Sequence, residues 1–194
     1  MKAVLLLSGG IDSPVAGWVM KQKGLEITPV HFANYPFTEK EPEEKSQRIV
    51  ETLGFGKLIV NDLGKEFSRI ASLCNHRYYF VLSKRLMLRE AEKTAKALGA
   101  KFLVTGENLG QVSSQTLKNL AVITKAVKTP VLRPLLAFEK QEIIDLAKKI
   151  GTYEISSGKE HCDALGPKHP STGVSEEKVL AEEQKLAGKL LSLH

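Results

Sequence analysis

Two glycines flanked by serine and followed by a carboxylate stand directly after a short apolar run near the start of the chain. Residues 8–13 read SGGIDS and follow AVLLL at residues 3–7. The apolar run is typical of a buried strand, and residues 12–23 have the pattern of a helix that ends at Gly24. In such a strand–turn–helix unit, glycines allow the backbone to approach a ligand, and the N–H groups and dipole of the helix attract an anion. The hexapeptide matches neither GxxxxGK[ST] nor GxGxxG, so it predicts a phosphate-binding loop of another kind, the alternative being an ordinary tight turn.

The composition limits the classes of protein that the loop can belong to. The chain has 194 residues with 42% hydrophobic residues, which excludes disordered and collagen-like classes and suits one domain. Its net charge of +6 is compatible with an anionic partner such as a nucleic acid. The run at residues 3–7 is too short to span a bilayer. Two cysteines, Cys74 and Cys162, are too few for a disulfide scaffold and fit a reducing cytoplasm, where we expect the protein to act without membrane contact.

Strand and helix patterns alternate along most of the chain. This alternation is expected if residues 8–13 connect a strand to a helix. Strands are predicted at 3–7, 26–32, 57–61, 101–105 and 131–135, and helices at 12–23, 41–53, 65–98 with a break near Cys74–Asn75, 110–125 and 139–150. Residues 152–173 are predicted to be irregular, and Pro29 suggests an irregular or edge second strand. The alternation predicts an α/β fold with a doubly wound, mostly parallel sheet and helices on both faces. Its ligand is expected beyond the carboxyl ends of the strands, near the first turn.

The loop and a second motif together resemble a known family. SGGIDS is similar to the PP-loop of the adenine nucleotide α-hydrolase-like (HUP-type) ATP pyrophosphatases, which split ATP to AMP and pyrophosphate. LVTGENLGQVSSQTL at 103–117 is very similar to a segment of the tRNA 4-thiouridine synthetase family, the ThiI-type tRNA sulfurtransferases, and TPVLRPL at 129–135 adds to the match. The chain is identified as a member of that family through its PP-loop domain, expected at residues 1–170. We expect residues 171–194 to form an amphipathic helix that packs on or extends this domain, and we expect no THUMP or rhodanese domain.

The resemblance implies an activity, cofactors and partners. The implied enzyme is an ATP-dependent sulfurtransferase that adenylates a tRNA uridine with release of pyrophosphate, then releases AMP as sulfur enters to form 4-thiouridine. The family name also links it to thiamine biosynthesis. The implied cofactors are ATP and Mg²⁺. The implied partners are tRNA, a sulfur donor (a cysteine desulfurase, a persulfide carrier or sulfide), a separate THUMP-type RNA-binding protein and a second copy in a homodimer. Two alternatives remain: an AMP-forming PP-loop enzyme acting on a small molecule, and a non-catalytic ATP-binding subunit of an RNA-modifying assembly.

The resemblance also assigns roles to residues. Catalytic roles fall to Asp12, acting through Mg²⁺, and to Lys140 and Cys162. ATP contacts are implied for Leu6, Leu7, Ser8, Gly9, Gly10, Ser13, His31, Phe32, Lys84, Gly106, Gln115 and Arg133. Cys162 either receives sulfur, resolves a persulfide on another protein, or is an inert free cysteine.

Each assignment has a simpler structural alternative. Asp12 is equally suited to cap a helix, and His31 to be a satisfied residue at a strand end. Lys84 shares a helix with a basic stripe, which we define as Arg85, Arg89, Lys93 and Lys96. That stripe, with Lys118, Lys125 and Lys128, either contacts tRNA phosphates or is simply solvated.

Metal sites other than Asp12 are not expected. Some archaeal-type members carry a Cys-x-x-Cys for an iron–sulfur cluster where this chain has Phe80 and Ser83. The remaining Cys and His residues match no compact zinc motif.

Overall fold

The computed structural model describes residues 1–109, 115–157 and 165–186. The strands are β1 Lys2–Leu6, β2 Glu26–Ala33, β3 Ile59–Asp62, β4 Phe102–Val104 and β5 Val131–Leu132. The helices are α1 Asp12–Gln22, α2 Glu41–Leu53, α3 Gly64–Leu73, α4 Tyr79–Leu98, α5 Leu117–Thr124, α6 Lys140–Lys149, α7 Tyr153–Ser156 and α8 Glu176–Leu186, with a 3-10 turn at His76–Tyr78 before α4. Among these described residues, no helix is long and apolar enough to cross a bilayer.

The described strands form one parallel sheet in the order β3-β2-β1-β4-β5. The chain builds outward from β1 to β3, then crosses back to place β4 on the other side of β1 and β5 beyond it. The carboxyl ends of β1 and β4 therefore bound the switch point of the sheet, where open α/β folds form their ligand crevice. The predicted doubly wound, parallel α/β fold is confirmed.

Helices cover both faces of the sheet, because successive residues of a strand point to opposite sides. On β1, Val4 joins the core that α3, α4, α5 and α8 complete. Its neighbours Ala3 and Leu5 join the second core, with α1, α2, α6 and α7. All three residues are fully buried, so β1 lies at the centre of the domain and fixes the loop that follows it.

Most element boundaries lie within about two residues of the sequence patterns, whereas the strand predicted at 131–135 is shorter, Val131–Leu132, and two further segments differ. The predicted helix at 41–53 coincides with α2, and the long helical segment breaks where expected, between Leu73 and Tyr79. The helix predicted at 110–125 instead begins at Leu117, because the Thr116 side chain caps it by accepting a hydrogen bond from Asn119 N at 3.2 Å; residues 110–114 lie outside the described residues. The segment predicted to be irregular contains α7.

Pro29 does not place β2 at an edge. The strand is interior, paired with β1 and with β3. Pro29 is tolerated there because the ladder to β3 begins one residue later, at Val30 and Ile59, so no ladder hydrogen bond requires its missing N–H.

The basic stripe of α4 is not an open cationic surface. The Arg85 side chain is 2% exposed, and Glu183 of α8 accepts hydrogen bonds from both Arg85 and Arg89 at 2.7–3.1 Å. Lys93 pairs with Glu90, and Lys96 pairs with Glu92 at 2.9 Å. For the two arginines both interpretations, a phosphate-contacting face and a solvated face, are therefore wrong, because helix α8 covers them; Lys93 and Lys96 remain exposed.

Candidate active site

A cleft of about 580 Å³ opens at the carboxyl ends of β1, β2 and β4. Its polar end is formed by residues 8–13, the turn between β1 and α1 that we call the phosphate loop. Its apolar walls come from β2, α3 and α4 and include Phe32, Phe67, Tyr79, Phe80 and Met87. The cleft thus joins a polar, glycine-containing end to an apolar end, as a ligand with an anionic group and a flat apolar ring requires.

Hydrogen bonds made by the hydroxyl groups of Ser8 and Ser13 fix the conformation of the phosphate loop. Ser13 Oγ accepts from Ser8 N at 2.9 Å and lies 3.0 Å from Ser8 Oγ, and Ser8 Oγ accepts from Gly10 N at 3.3 Å. From outside, Ser156 Oγ of α7 donates to the Gly10 carbonyl oxygen at 3.3 Å. The two hydroxyls and the N–H groups of Ser8 and Gly10 are thus used within the loop, so its remaining backbone N–H groups and the start of α1 are the natural donors to an anion.

Asp12 lies in the first turn of α1 and lines the cleft. The helix begins after Ile11, which makes no side-chain capping hydrogen bond, and Asp12 is the acidic residue of the first turn, where a carboxylate also interacts favourably with the helix dipole. Its carboxylate is therefore placed where an anionic substrate would meet the helix start, a position suited to sharing a cation with that substrate.

Gly106, two residues after the end of β4 at Val104, touches the phosphate loop across the switch point. A Cβ atom at Gly106 would lie 2.6 Å from Ser13 N and 2.7 Å from Ser13 Cα. Only glycine permits this approach of the two backbones. The β4 segment is therefore packed directly against the first turn of α1.

His31 is both a hydrogen-bonded structural residue and a residue that lines the cleft. It is 6% exposed, and its Nδ1 lies 3.1 Å from the Leu7 carbonyl oxygen and 3.2 Å from Ser46 Oγ. Burial lowers the pKa of His31, against the opposing effects of the Leu7 hydrogen bond and of Glu43. The ring is therefore neutral near pH 7, and it ties the end of β2 to the phosphate loop while lining the cleft.

The reasoning from sequence assigned no role to Glu107, which organises the cations of the site. Its Oε1 accepts from Lys84 Nζ at 2.8 Å, and its Oε2 accepts from Arg133 Nε at 2.5 Å and from Thr105 Oγ1 at 3.0 Å. We call Lys84, Glu107 and Arg133 the Glu107 cluster. Burial favours a protonated carboxyl, but Lys84 and Arg133 outweigh it and lower the pKa of Glu107 to about 2. The signal that could have identified it is a charged residue directly after Gly106, close to the carboxyl end of a buried strand.

Two further buried polar atoms line the cleft without a hydrogen-bond partner among the described residues. They are Asn34 Oδ1, just beyond β2, and Ser83 Oγ on α4. Both residues are more than nine-tenths buried. Because buried polar groups are normally paired, these two indicate positions where a ligand supplies the partner.

The structure brings most of the predicted site residues together at the cleft. The residues that line it are Leu6, Leu7, Ser8, Gly9, Asp12, Ser13, His31, Phe32, Lys84, Gly106 and Gln115. Gly10 lies in the same loop, and Arg133 reaches the site through Glu107. Lys140 is exposed as the first residue of α6 and is not among the lining residues, and Cys162 lies outside the described residues.

Comparison with known proteins shows that the chain belongs to one family. The family model described as thiamine biosynthesis protein (ThiI) matches residues 1–187. The chain is similar to a probable tRNA sulfurtransferase of Alkaliphilus oremlandii, with 44% identity over 95% of this chain and 49% of the relative. The corresponding protein of Coxiella burnetii is 42% identical, again over 95% of this chain and 49% of the relative. The chain therefore spans about half the length of the curated relatives it matches.

Solved structures show the same likeness. A 4-thiouridine synthetase in complex with RNA and bound ATP superposes with a TM-score of 0.89 at 42% identity, covering 95% of this chain and 50% of that one. An NMN synthetase of Francisella tularensis, at 15% identity and a TM-score of 0.63, covers 96% of this chain and 85% of its own, and shares the fold alone.

Proposed function

Because the chain belongs to the ThiI family, we propose that its cleft binds ATP and activates the C4 oxygen of a tRNA uridine for replacement by sulfur. The observation that carries the proposal is the phosphate loop at the switch point, continuous with an apolar cleft of about 580 Å³. That arrangement suits a triphosphate at one end and adenine at the other. The 4-thiouridine synthetase with 42% identity was solved with ATP and RNA, which supports both ligands.

The reaction follows from the poor leaving ability of the uridine C4 oxygen. That oxygen attacks the α-phosphorus of ATP, the bond to the bridging α–β oxygen breaks, and pyrophosphate leaves toward the phosphate loop. A sulfur nucleophile then attacks C4, and the former uridine oxygen departs as part of AMP. The cleft must therefore stabilise negative charge twice, first on pyrophosphate and then on AMP.

The position of each residue in the cleft suggests which part of the reaction it serves. Backbone N–H groups of the phosphate loop and the start of α1 bind the leaving pyrophosphate. Lys84 and Arg133, the two cations of the Glu107 cluster, neutralise charge near the α-phosphate. The polar atoms of Asn34 and Ser83 acquire partners on the nucleotide, and the aromatic wall holds the adenine ring. Gln115, whose Oε1 accepts a hydrogen bond from Asn108 N at 2.8 Å, fixes the segment after Glu107 against the cleft.

The donor set also fits Mg²⁺. Among the described residues the carboxylates of Asp12 and Glu107 line the cleft, and the family likeness assigns the ion to Asp12, in the first turn of α1 beside the phosphate loop. Mg²⁺ is commonly bound by one or two carboxylates together with substrate phosphates. When bound, it would supply charge neutralisation on the phosphate oxygens.

Catalytic roles for Lys140 and Cys162 are proposed on the basis of the family likeness. Lys140 begins α6, whose preceding segment accepts hydrogen bonds from Asn108 Nδ2 at Leu135 O and Phe138 O, at 2.8 and 2.5 Å. This contact ties the start of α6 to the segment that carries Glu107, which supports the proposal that the exposed Lys140 side chain acts at the cleft. For Cys162 we propose a role in sulfur transfer, either receiving sulfur or resolving a persulfide on another protein.

Formation of AMP from labelled ATP, with and without unmodified tRNA, tests the proposal. The assay contains Mg²⁺ and sulfide and compares the wild type with Asp12→Ala and Cys162→Ala. We expect tRNA-dependent AMP in the wild type, its loss in Asp12→Ala, and its retention in Cys162→Ala. Asp145→Ala is the matched control, since Asp145 is an exposed aspartate of α6 that does not line the cleft.

Other outcomes would favour the alternatives. AMP formation that ignores tRNA and responds to a metabolite would indicate an enzyme acting on a small molecule. Tight ATP binding with no turnover in the complete mixture would indicate an ATP-binding subunit of a larger assembly.

A further inference from the structure

A buried carboxylate lies within a cleft that is otherwise suited to anions. Glu107 is 6% exposed and lines the cleft beside Gly106 and the phosphate loop. A carboxylate so close to a phosphate site repels the ligand, so its presence calls for a physical reason.

The first reason is that Glu107 fixes two cations that come from distant parts of the chain. Lys84 is carried by α4, and Arg133 directly follows β5. The carboxylate binds one cation with each oxygen, at 2.8 and 2.5 Å. The Arg133 side chain is only 11% exposed, and a buried cation without an anion is strongly unfavourable. Glu107 therefore holds both groups in place before any ligand binds.

The second reason is charge. Two cations and one carboxylate leave the cluster with a net charge of +1. Because the neighbouring cations keep the pKa of Glu107 at about 2, this charge is constant over the physiological pH range. Without Glu107, the same two side chains would present +2 to a phosphate.

The cluster also retains hydrogen-bonding capacity for a ligand. Within the described part of the chain, Arg133 Nη2 is buried and has no hydrogen-bond partner. A guanidinium carries five N–H donors in a fixed fork, so Arg133 can bind Glu107 through Nε and still bind a second anion.

We propose that Glu107 is a positioning residue that orients Lys84 and Arg133 and, by cancelling one of their two charges, limits the affinity of the cleft for polyphosphate so that pyrophosphate can leave. This rests on the proposed function, in which pyrophosphate is a product of the cleft. In this role Glu107 acts through the two cations that it binds, Lys84 and Arg133.

Equilibrium binding of inorganic pyrophosphate and of adenosine, measured by calorimetry without divalent metal, tests the proposal. In Glu107→Gln we expect pyrophosphate to bind at least about tenfold more tightly, since a unit charge at roughly 10 Å is worth about that factor for each negative charge of the ligand at an effective dielectric constant near 20, before screening by salt. The gain should shrink as salt concentration rises. Adenosine, which is neutral, should bind with unchanged affinity. A merely structural role would weaken both ligands and would not produce this salt dependence.

Glu183→Gln is the matched control. Glu183 also bridges two buried or half-buried cations, Arg85 and Arg89, but it does not line the cleft. This variant should be less stable than the wild type and bind pyrophosphate normally.

A charge series keeps the proposal testable should Glu107→Gln fail to fold. Arg133→Gln lowers the cluster charge to zero, and the double variant Glu107→Gln/Arg133→Gln restores it to +1 without leaving Arg133 unpaired. The double variant should bind pyrophosphate at least about tenfold more tightly than Arg133→Gln. Equal affinities in these two, or weaker pyrophosphate binding in Glu107→Gln, would overturn the proposal. A wild type that binds neither ATP nor pyrophosphate would instead contradict the proposed function.

Discussion

Replacing Gly106 by alanine would drive a methyl group into the phosphate loop. The new Cβ atom would lie 2.6 Å from Ser13 N, 2.7 Å from Ser13 Cα and 2.8 Å from the Asp12 carbonyl carbon. Ordinary van der Waals contact begins near 3.4 Å, so the two backbones must separate by about 0.8 Å. All three contacted atoms belong to main chain, so no side-chain rotation can relieve the clash.

We expect this substitution to weaken ligand binding more than it lowers the stability of the fold. A displacement near 1 Å at a site of this kind reduces activity by up to about a hundredfold, and overpacking destabilises a protein by about 1–3 kcal/mol. We therefore expect ATP binding, measured by calorimetry, to weaken by about tenfold to a hundredfold while the thermal midpoint falls modestly. Gly173→Ala is the control, because its Cβ would meet only the flexible Lys118 side chain at 3.1 Å. Wild-type ATP affinity in Gly106→Ala would refute the inferred contact between β4 and the loop.

Three further predictions address the loop, the buried ion pairs and pH. Ser13→Ala removes the hydroxyl that Ser8 N donates to, and we expect ATP affinity to fall about tenfold, because a buried donor left unpaired costs about 1–3 kcal/mol; unchanged calorimetric affinity would contradict this. Glu183→Ala leaves the buried Arg85 guanidinium without its carboxylate, and urea unfolding should show a loss of about 3–5 kcal/mol with normal ATP binding, whereas a loss below about 1 kcal/mol would contradict the pairing. The pKa of Glu107 falls from 4.5 to about 2 on folding, so the stability that this carboxylate contributes is present above pH 4.5 and lost between about pH 4.5 and 2. Urea midpoints should therefore fall more steeply from pH 5 to pH 3 in the wild type than in Glu107→Gln, and equal slopes would contradict the lowered pKa.

The fold could be predicted because its signals are local. An apolar run ended by Ser8-Gly9-Gly10 identifies β1 and the phosphate loop, and the helix of 41–53 is bounded by its own pattern. The complete burial of Ala3, Val4 and Leu5 in β1 follows from a run without polar interruption, which a sheet covered on both faces requires.

The arrangement of charges could not be predicted in the same way. Helical periodicity places Arg85 and Arg89 on one side of α4 but does not say what faces them, and their partner Glu183 is 98 residues from Arg85. Glu107, Lys84 and Arg133 likewise come from three separate elements, and only the strand order brings them together. The sequence suggested cations available for RNA phosphates, whereas the structure shows that both arginines of the stripe are ion-paired.

The fate of the uridine oxygen tests the central claim most directly. Unmodified tRNA carrying ¹⁸O at uridine C4 is incubated with the protein, ATP, Mg²⁺ and sulfide, and the AMP produced is analysed by mass spectrometry. Adenylation of that oxygen predicts one ¹⁸O atom in the phosphate of AMP for each thiolated uridine. Label in water or in pyrophosphate, with unlabelled AMP, would contradict the proposed activation.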